Sequence, residues 1–147
     1  MKTRRDKLDT LFSLLVRERA EWACEVCGRY FPEDARQSLH CSHHFSRRKR
    51  SIRLSPLNAS AHCFSCHQTL GENPVLFHDW IKGHLGDEKF AALRVQAERL
   101  VRLRKRDKAD IYSNLKASLQ DMQARRKAGE TGRIEFEDPM PDEVWAA

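Results

Sequence analysis

The chain lacks the features that membrane-spanning and secreted proteins need. No stretch approaches the roughly 18 consecutive apolar residues of a transmembrane helix, and the mean hydropathy is −0.70. The N-terminus is basic but has neither an apolar core nor a small-residue cleavage site, so we expect no secretory leader. We therefore expect a cytoplasmic protein without membrane contacts, in which cysteines indicate metal binding or chemistry rather than disulfides.

Acidic residues are scarce except near the C-terminus. Lys and Arg number 27 against 21 Asp and Glu, which gives a net charge of +6. Residues 129–147 contain six acids and one base, so residues 1–128 carry +11. A small body this basic predicts a polyanionic partner, most simply DNA, while a basic protein without such a partner is the alternative.

Hydrophobic periodicity predicts an α+β fold in four parts. Residues 1–21 contain an amphipathic helix, residues 22–86 a core of short elements, and residues 87–128 two helices or one bent helix. Residues 129–147 form an acidic, proline-containing tail that we expect to be disordered. The helical stripes consist of Leu8, Leu11, Phe12, Leu15 and Val16, then Phe90, Leu93, Ala97, Leu100 and Val101, then Ile111, Leu115, Leu119 and Met122.

Residues 22–86 contain only short predicted elements. A weakly alternating strand is predicted over 40–46, a basic loop over 47–53 and a turn over 56–58. A helical turn follows over 67–70. A further helix ends near Gly83, with an apolar face formed by Phe77, Trp80 and Ile81.

Two Cys-x-x-Cys pairs, Cys24/Cys27 and Cys63/Cys66, are the most specific metal signal. A two-residue spacer lets both thiolates of one turn reach the same ion, and two such turns complete a closed tetrahedral Zn²⁺ site. A closed site is structural, and its binding free energy of about 10 kcal/mol or more rivals the stability of a small domain. Two disulfides or a dithiol redox motif are the competing interpretations. Cys41 is left as an ordinary strand residue.

Histidines beside the cysteines need a separate explanation. Metal-assisted phosphodiester hydrolysis requires a base, a cation and ligands for that cation, and neutral imidazole can serve as base or ligand. An asparagine can orient a histidine or fix a loop by hydrogen bonds. The candidates for these roles are His40, His43, His44, Asn58 and His67, whereas we expect surface or core roles for His62, His78 and His84.

Three segments carry a family resemblance: LHCSHHFSRR at 39–48, LNASAHCFSC at 57–66 and LGENP at 70–74. Together with the order His, Asn, His, they resemble the HNH nucleases of the ββα-metal fold. More narrowly, residues 22–120 resemble the NinG-type phage recombination proteins and related prophage HNH proteins. The resemblance implies a metal-dependent DNA endonuclease of phage or prophage origin that acts on branched recombination intermediates. It also implies a catalytic Mg²⁺ or Mn²⁺ ion, and a resolvase of this kind is expected to act as a homodimer.

The resemblance also implies roles for individual residues. His43 matches the general base, Asn58 the central asparagine, and His67 a ligand of the catalytic cation. Ser42, however, stands where many HNH proteins have an Asp or His ligand. Either His44 is the base with His43 as ligand, or His43 is the base and a second histidine, His40 or His44, completes the metal site.

A run of cations lies between the presumed base and Asn58. In isolation it would be a solvated surface, but beside a nuclease centre it predicts contacts to DNA through the backbone or shape rather than base sequence. These residues are Arg47, Arg48, Lys49, Arg50 and Arg53. The alternative function is a non-catalytic, zinc-stabilised DNA-binding protein or recombination adaptor.

Overall fold

The computed structural model describes residues 4–145, which adopt an α+β fold as the sequence predicts. Residues 1–3 of the N-terminal segment and 146–147 of the tail lie outside this range. None of the helices in the described range is long and apolar enough to cross a membrane. The elements are α1 (Lys7–Arg19), β1 (Leu39–His43), β2 (Ala59–Cys63), α2 (Phe64–Gly71), α3 (Pro74–Leu85), α4 (Asp87–Ala97) and α5 (Lys105–Lys127).

Helix α1 begins at a capping box. Asp6 accepts hydrogen bonds from the backbone N–H groups of Leu8 and Asp9, and the Asp9 carboxylate accepts one from the backbone of Asp6. The apolar face of α1 is buried in the core, where each large side chain contributes about 1.5–3 kcal/mol. Its buried apolar residues are Leu8, Phe12, Leu15 and Val16.

Strands β1 and β2 form an antiparallel hairpin in which Leu39 pairs with Cys63 and His43 with Ala59. The sequence predicts β1 but not β2, because alanine and serine give Ala59–Cys63 a weak strand propensity. The predicted turn over 56–58 is a single 3-10 turn that leads directly into β2. Since β2 continues without a loop into α2, the hairpin and this helix form one unit.

Helices α4 and α5 are separate helices rather than one bent helix. Helix α3 runs slightly beyond the predicted end at Gly83 and stops before Gly86, whose φ of 81° suits glycine and ends the helix. The predicted stripe of α4 is wrong beyond Ala97, since α4 ends there and Leu100 is exposed.

The prediction of a disordered tail is wrong for residues 129–145. Ile134 and Phe136 are buried, and the Phe136 ring meets that of Phe12 edge-on at a centroid distance of 5.9 Å. Arg133 forms an ion pair with Glu25 at 2.5 Å. The sequence does not predict this packing, because the segment is acidic and its few alternating apolar residues give only a weak hydrophobic pattern.

A hydrophobic core joins parts of the chain that the sequence divides into separate segments. It brings together α1, the hairpin, α5 and the tail. Helix α5 contributes its predicted stripe of Ile111, Leu115, Leu119 and Met122. Residues 1–21 and 87–128 are therefore not simple appendages to the 22–86 core, because α1 packs on the hairpin and α5 packs on α1.

Candidate metal centre and histidine cluster

The first cysteine pair lies in a tight turn after α1. The backbone N–H of Cys24 donates to the carbonyl of Arg29, and Gly28 donates to the carbonyl of Cys24, both at 2.8 Å. Gly28 has φ 79°, which glycine adopts without steric cost. The backbone N–H of Glu25 donates to the carbonyl of Ala61 at 2.8 Å, so this turn docks directly on β2.

The second cysteine pair lies where β2 becomes α2. Cys63 is the N-cap of α2, and Cys66 lies in its first turn. Burial alone would raise the pKa of Cys63, but hydrogen bonds from the Ser65 hydroxyl and the Cys66 backbone lower this pKa to about 6. A helix N-terminus also favours the thiolate, which is the form that binds metal.

The four cysteines of the two pairs meet at one point. Their sulfur atoms all lie within 4.8 Å of one another, and no disulfide links them. The Sγ atoms of Cys27 and Cys63 are 3.9 Å apart. A tetrahedron with Zn–S bonds of about 2.3 Å places its sulfurs about 3.8 Å apart, so the spacing fits. Cys24, Cys27, Cys63 and Cys66 could therefore hold a zinc ion, as the sequence predicts.

Cys41 does not belong to the thiol cluster. It pairs with Ala61 in the hairpin and is buried in the hydrophobic core. Burial raises the pKa of its thiol to about 11, which keeps the sulfur protonated and unreactive at neutral pH. The expectation of an ordinary strand residue agrees with this position.

The hairpin has two faces of opposite character. Residues that pair across an antiparallel hairpin share a face, and successive residues of a strand alternate between faces. The polar face, which meets α2 and α3, consists of His40, Ser42, Ser60 and His62. The apolar face, which packs on α1, consists of Leu39, Cys41, His43, Ala59, Ala61 and Cys63.

Three imidazoles form a histidine cluster at the junction of the polar face and α2: His40, His62 and His67. The rings of His40 and His67 stack at a centroid distance of 5.0 Å, and His62 lies 6.4 Å from His67. His62 is 0% exposed. Both of its ring nitrogens, and Nε2 of His40, have no hydrogen-bond partner within residues 4–145. Each such buried group costs about 1–3 kcal/mol, so these nitrogens need a partner such as a metal ion or an ordered water.

The histidine cluster is suited to bind a cation, but its ring nitrogens lie farther apart than the sulfur atoms of the four cysteines. Burial lowers the pKa of all three imidazoles, that of His62 to about 4, so they are neutral at pH 7. Within residues 4–145, the four cysteines are the only group of three or more such residues whose ligand atoms all lie within 4.8 Å of one another. The imidazoles would have to rotate toward one another to share an ion.

The structure separates His43 from His67. His43 points to the apolar face, where its ring lies 5.7 Å from that of Phe12 and its Nε2 lies 3.1 Å from the carbonyl oxygen of Arg53. Burial lowers the pKa of His43 to about 4. The expectation that His43 and His67 flank one catalytic centre is therefore not met, because alternate strand residues point in opposite directions.

His44, in contrast, lies on the side of the polar face. Its Nδ1 is 2.9 Å from the carbonyl oxygen of Leu57, and its Nε2 is 2.5 Å from the hydroxyl oxygen of Ser60. The ring is 7% exposed and packs edge-on beneath Trp80. Burial lowers the pKa of His44 to about 3, so its ring is neutral.

Asn58 locks the loop that joins the two strands. Its side-chain oxygen accepts a hydrogen bond from the backbone N–H of Phe45 at 2.9 Å, and its amide nitrogen donates to the carbonyl of Phe45 at 3.0 Å. The carbonyl of Asn58 also accepts from the backbone of His44 at 2.8 Å. Asn58 therefore positions His44 through the backbone and fixes the loop, which is one of its two expected roles.

The basic loop divides into anchored and outward cations. The Nε of Arg53 donates to Asp9 of α1 at 2.9 Å, and Arg47 lies 3.6 Å from the same carboxylate. Burial would raise the pKa of Asp9, but the hydrogen bonds from Arg53 and the charges of both arginines lower it. Arg47 and Arg53 therefore tie the loop to α1, a role the sequence does not predict. The exposed cations are Arg48, Lys49 and Arg50.

The Glu25 side chain is buried and contacts several elements, a role that the sequence does not predict. Its carboxylate accepts a hydrogen bond from the backbone of Ala61 at 2.6 Å and lies 3.3 Å from Nε2 of His84. Burial would raise its pKa, but the contact with His84 and the charges of Arg19 and Arg133 lower it to about 2. Its position inside a Cys-x-x-Cys turn gave no signal of this role. Glu25 joins the first cysteine turn to β2, α3 and the tail.

Comparisons with protein-family models, with curated proteins and with solved structures gave no match to this chain. The α+β fold and the thiol cluster therefore rest on the geometry of the chain itself. The HNH resemblance stays a prediction, and the function must be argued from the side chains that the fold brings together.

Proposed function

We propose that this protein is a metal-dependent DNA endonuclease of the HNH type, stabilised by a zinc ion at its four cysteines. The observation that carries the proposal is the histidine cluster. Both strands and the helix that follows them each contribute one imidazole, beside the thiols, and three buried ring nitrogens lack partners. Partnerless neutral imidazole nitrogens in a cluster that opens to solvent are the donors a catalytic cation needs.

In this proposal His40, His62 and His67 hold the catalytic cation. When bound, the cation would stabilise the charge that develops on the scissile phosphate and its leaving oxygen. His67 is exposed, so the substrate phosphate approaches from its side, while the buried His62 lies behind. A donor set made of imidazoles favours a softer ion such as Mn²⁺ over Mg²⁺.

His44 is the proposed general base, because it lies on the same side of the hairpin as the cluster. A hydrogen bond from Nδ1–H to the Leu57 carbonyl fixes the tautomer in which Nε2 accepts a proton. In hydrolysis the attacking water gives its proton to Nε2 of His44, in place of the present contact to Ser60. Since His44 is nearly enclosed, Trp80 must move aside to admit this water.

The exposed cations Arg48, Lys49 and Arg50 are the proposed phosphate contacts. They begin four residues after His44, and Asn58 fixes the start of this loop at Phe45. Cation contacts to phosphates release counterions, so DNA affinity should fall steeply with salt. We propose recognition of the DNA backbone or shape, in line with the absence of any base-reading pattern in this loop.

Supercoiled plasmid and a branched DNA junction, each with Mn²⁺ or Mg²⁺ and with no added metal, test the proposal. We expect metal-dependent cleavage that falls by about 10²–10⁴ in His44→Ala, the range for loss of a general base, and is abolished in His67→Ala. Gln123→Ala, at an exposed position on α5 away from the cluster, should cleave normally. Cleavage that survives in His67→Ala contradicts the site, and loss in His43→Ala alone transfers the base role to His43.

A non-catalytic zinc-stabilised DNA-binding protein is the second candidate. The spacing of the imidazole nitrogens, which do not converge as the sulfurs do, favours it. In that case the wild-type protein binds both DNA substrates in a salt-dependent manner but cleaves neither with any divalent cation.

A further inference from the structure

A groove of about 930 Å³ lies between the basic loop and helices α3 and α4. Phe45 and Phe90 form its floor, with ring centroids 6.3 Å apart, and the His78 ring stands edge-on to Phe90 at 5.4 Å. Val95 forms one wall and is 68% exposed. Phe90 is 7% exposed and Phe45 is half-buried, so the groove presents the exposed His78 and Val95 to solvent above a mostly buried aromatic floor, outside the histidine cluster.

The rim of the groove is basic. Lys49 and Arg94 line it, and the Lys82 ammonium lies 5.8 Å from the centre of the Phe90 ring. The acid on the rim, Glu98, lies 3.5 Å from Lys49 and is balanced by it. An apolar helix from a partner protein would supply no counter-charge for Arg94 or Lys82. A ligand with flat rings and phosphates satisfies both the floor and the rim.

The groove is also continuous with the proposed nuclease centre. Phe45 follows His44 directly, and Asn58 holds the backbone of Phe45 through both its N–H and its carbonyl. A strand whose phosphates contact Arg48 and Arg50 would therefore carry its bases across the groove. Paired bases cannot enter such a groove, because their rings are stacked within the duplex.

We infer that this groove binds an unpaired base of single-stranded or branched DNA, with the adjoining phosphates on its basic rim. This inference rests on the proposed function, since it names the class of DNA that the same centre prefers. Each base that stacks on an aromatic side chain is typically worth about tenfold or more in affinity. The groove would direct the protein to junctions and frayed ends without reading their sequence.

The test pairs two exposed valines that can be changed without disturbing the core. Val95→Glu places a charged side chain in the groove, and Val75→Glu makes the same charge change on α3, where Val75 is 78% exposed and does not line the groove. Binding of a labelled single strand and of the same sequence as a duplex is followed by fluorescence anisotropy without added divalent cation. Thermal unfolding first establishes that both variants are folded.

We expect Val95→Glu to weaken single-strand binding about tenfold or more and duplex binding little, while Val75→Glu changes neither. Three results would each contradict base binding in the groove. These are equal losses of affinity for strand and duplex in Val95→Glu, equal losses of affinity in both variants, and wild-type affinity in Val95→Glu. A protein that discriminates strands through Val95 but never cleaves DNA supports the groove and overturns the nuclease. A protein that cleaves DNA but whose single-strand affinity is unchanged by Val95→Glu supports the nuclease and contradicts base binding in the groove.

Discussion

The two faces of the hairpin are made from the same two five-residue strands but differ in how fully their groups are satisfied. On the apolar face, Leu39 and Ala61 are enclosed by α1 and the hydrophobic core. On the polar face, Ser42 Oγ and both ring nitrogens of His62 are buried with no hydrogen-bond partner within residues 4–145. A fold that needed only stability would carry apolar residues at these positions, and this contrast is an argument for the proposed cation site on the polar face.

The comparison also assigns a role to the thiol cluster. Cys63 lies at the end of β2 that pairs with Leu39, so a zinc ion here would hold the two strands and α2 in register. A zinc ion would thereby offset the unpartnered nitrogens of the polar face, which lower the stability of the fold by several kcal/mol. The apolar face and a bound zinc ion would stabilise the folded hairpin, whereas the unpartnered groups of the polar face destabilise it.

The largest expected effect comes from Cys63→Ser, which removes one ligand of the thiol cluster. We expect loss of zinc and of the folded state, because the binding free energy of a structural zinc, about 10 kcal/mol or more, equals the whole stability of a small domain. Zinc content by elemental analysis and circular dichroism measure this outcome. Cys41→Ala, a thiol on the same face but outside the cluster, is the matched control and should retain zinc. Full zinc content in the serine variant would refute the assignment.

The next effect tests the apolar face. Leu39→Ala should lower the free energy of unfolding by about 2–5 kcal/mol, because it leaves a cavity beneath α1. Chemical denaturation of the zinc-loaded protein measures this loss. Binding of the second divalent cation, followed by calorimetry in the surviving folded protein, should be unchanged. Leu100→Ala, at an exposed leucine, should stay within about 0.5 kcal/mol of the wild type.

A smaller effect concerns the anchor between α1 and the basic loop. Asp9→Asn should cost about 1.5–3 kcal/mol at neutral pH, the range for a hydrogen bond to a charged group. Because the pKa of Asp9 is lower in the folded than in the unfolded state, its contribution is complete above the unfolded pKa of 3.8 and is lost as the pH falls through the folded pKa. Chemical denaturation of the zinc-loaded proteins at neutral pH measures this cost, with the pH lowered only as far as zinc stays bound. Equal stability of Asp9→Asn and the wild type at neutral pH would contradict the ion pair.

The smallest stability change is expected from His62→Leu, on the polar face. Leucine has a similar volume and removes two unpartnered nitrogens, so the zinc-loaded variant should unfold at the same denaturant concentration or a slightly higher one. The same variant should lose the second divalent cation in calorimetry, which Leu39→Ala retains. A loss of more than about 2 kcal/mol in His62→Leu would mean that both faces are structural.

Much of the fold follows from the sequence. The stripes of α1 and α5 predict helices, and the buried apolar residues of both helices belong to these stripes, although Leu11 is only half-buried. The two cysteine pairs predict one cluster. Strand β2 escapes prediction because its pairing with β1, rather than its own propensity, makes it a strand. The packing of Ile134 and Phe136 is missed for a related reason, since an acidic segment hides two apolar residues that only the completed core can use.

The candidate site is less predictable than the fold. The sequence identifies His40, His44 and His67 as candidates, but the choice between His43 and His44 depends on the phase of the strand, which a single-residue shift reverses. His62 has no spacing signal, because its neighbours on the polar face come from a different strand and helix. Glu25 likewise acquires its partners only when α3 and the tail fold over the first cysteine turn.

The packing of the tail determines when the hydrophobic core can be completed during synthesis of the chain. Phe136, which packs against Phe12 of α1, is synthesised more than 120 residues after it. The four cysteines, in contrast, are complete once Cys66 has emerged. A zinc ion at these cysteines could therefore be bound before the core is complete, and it would hold the two strands and α2 together until the tail packs on α1.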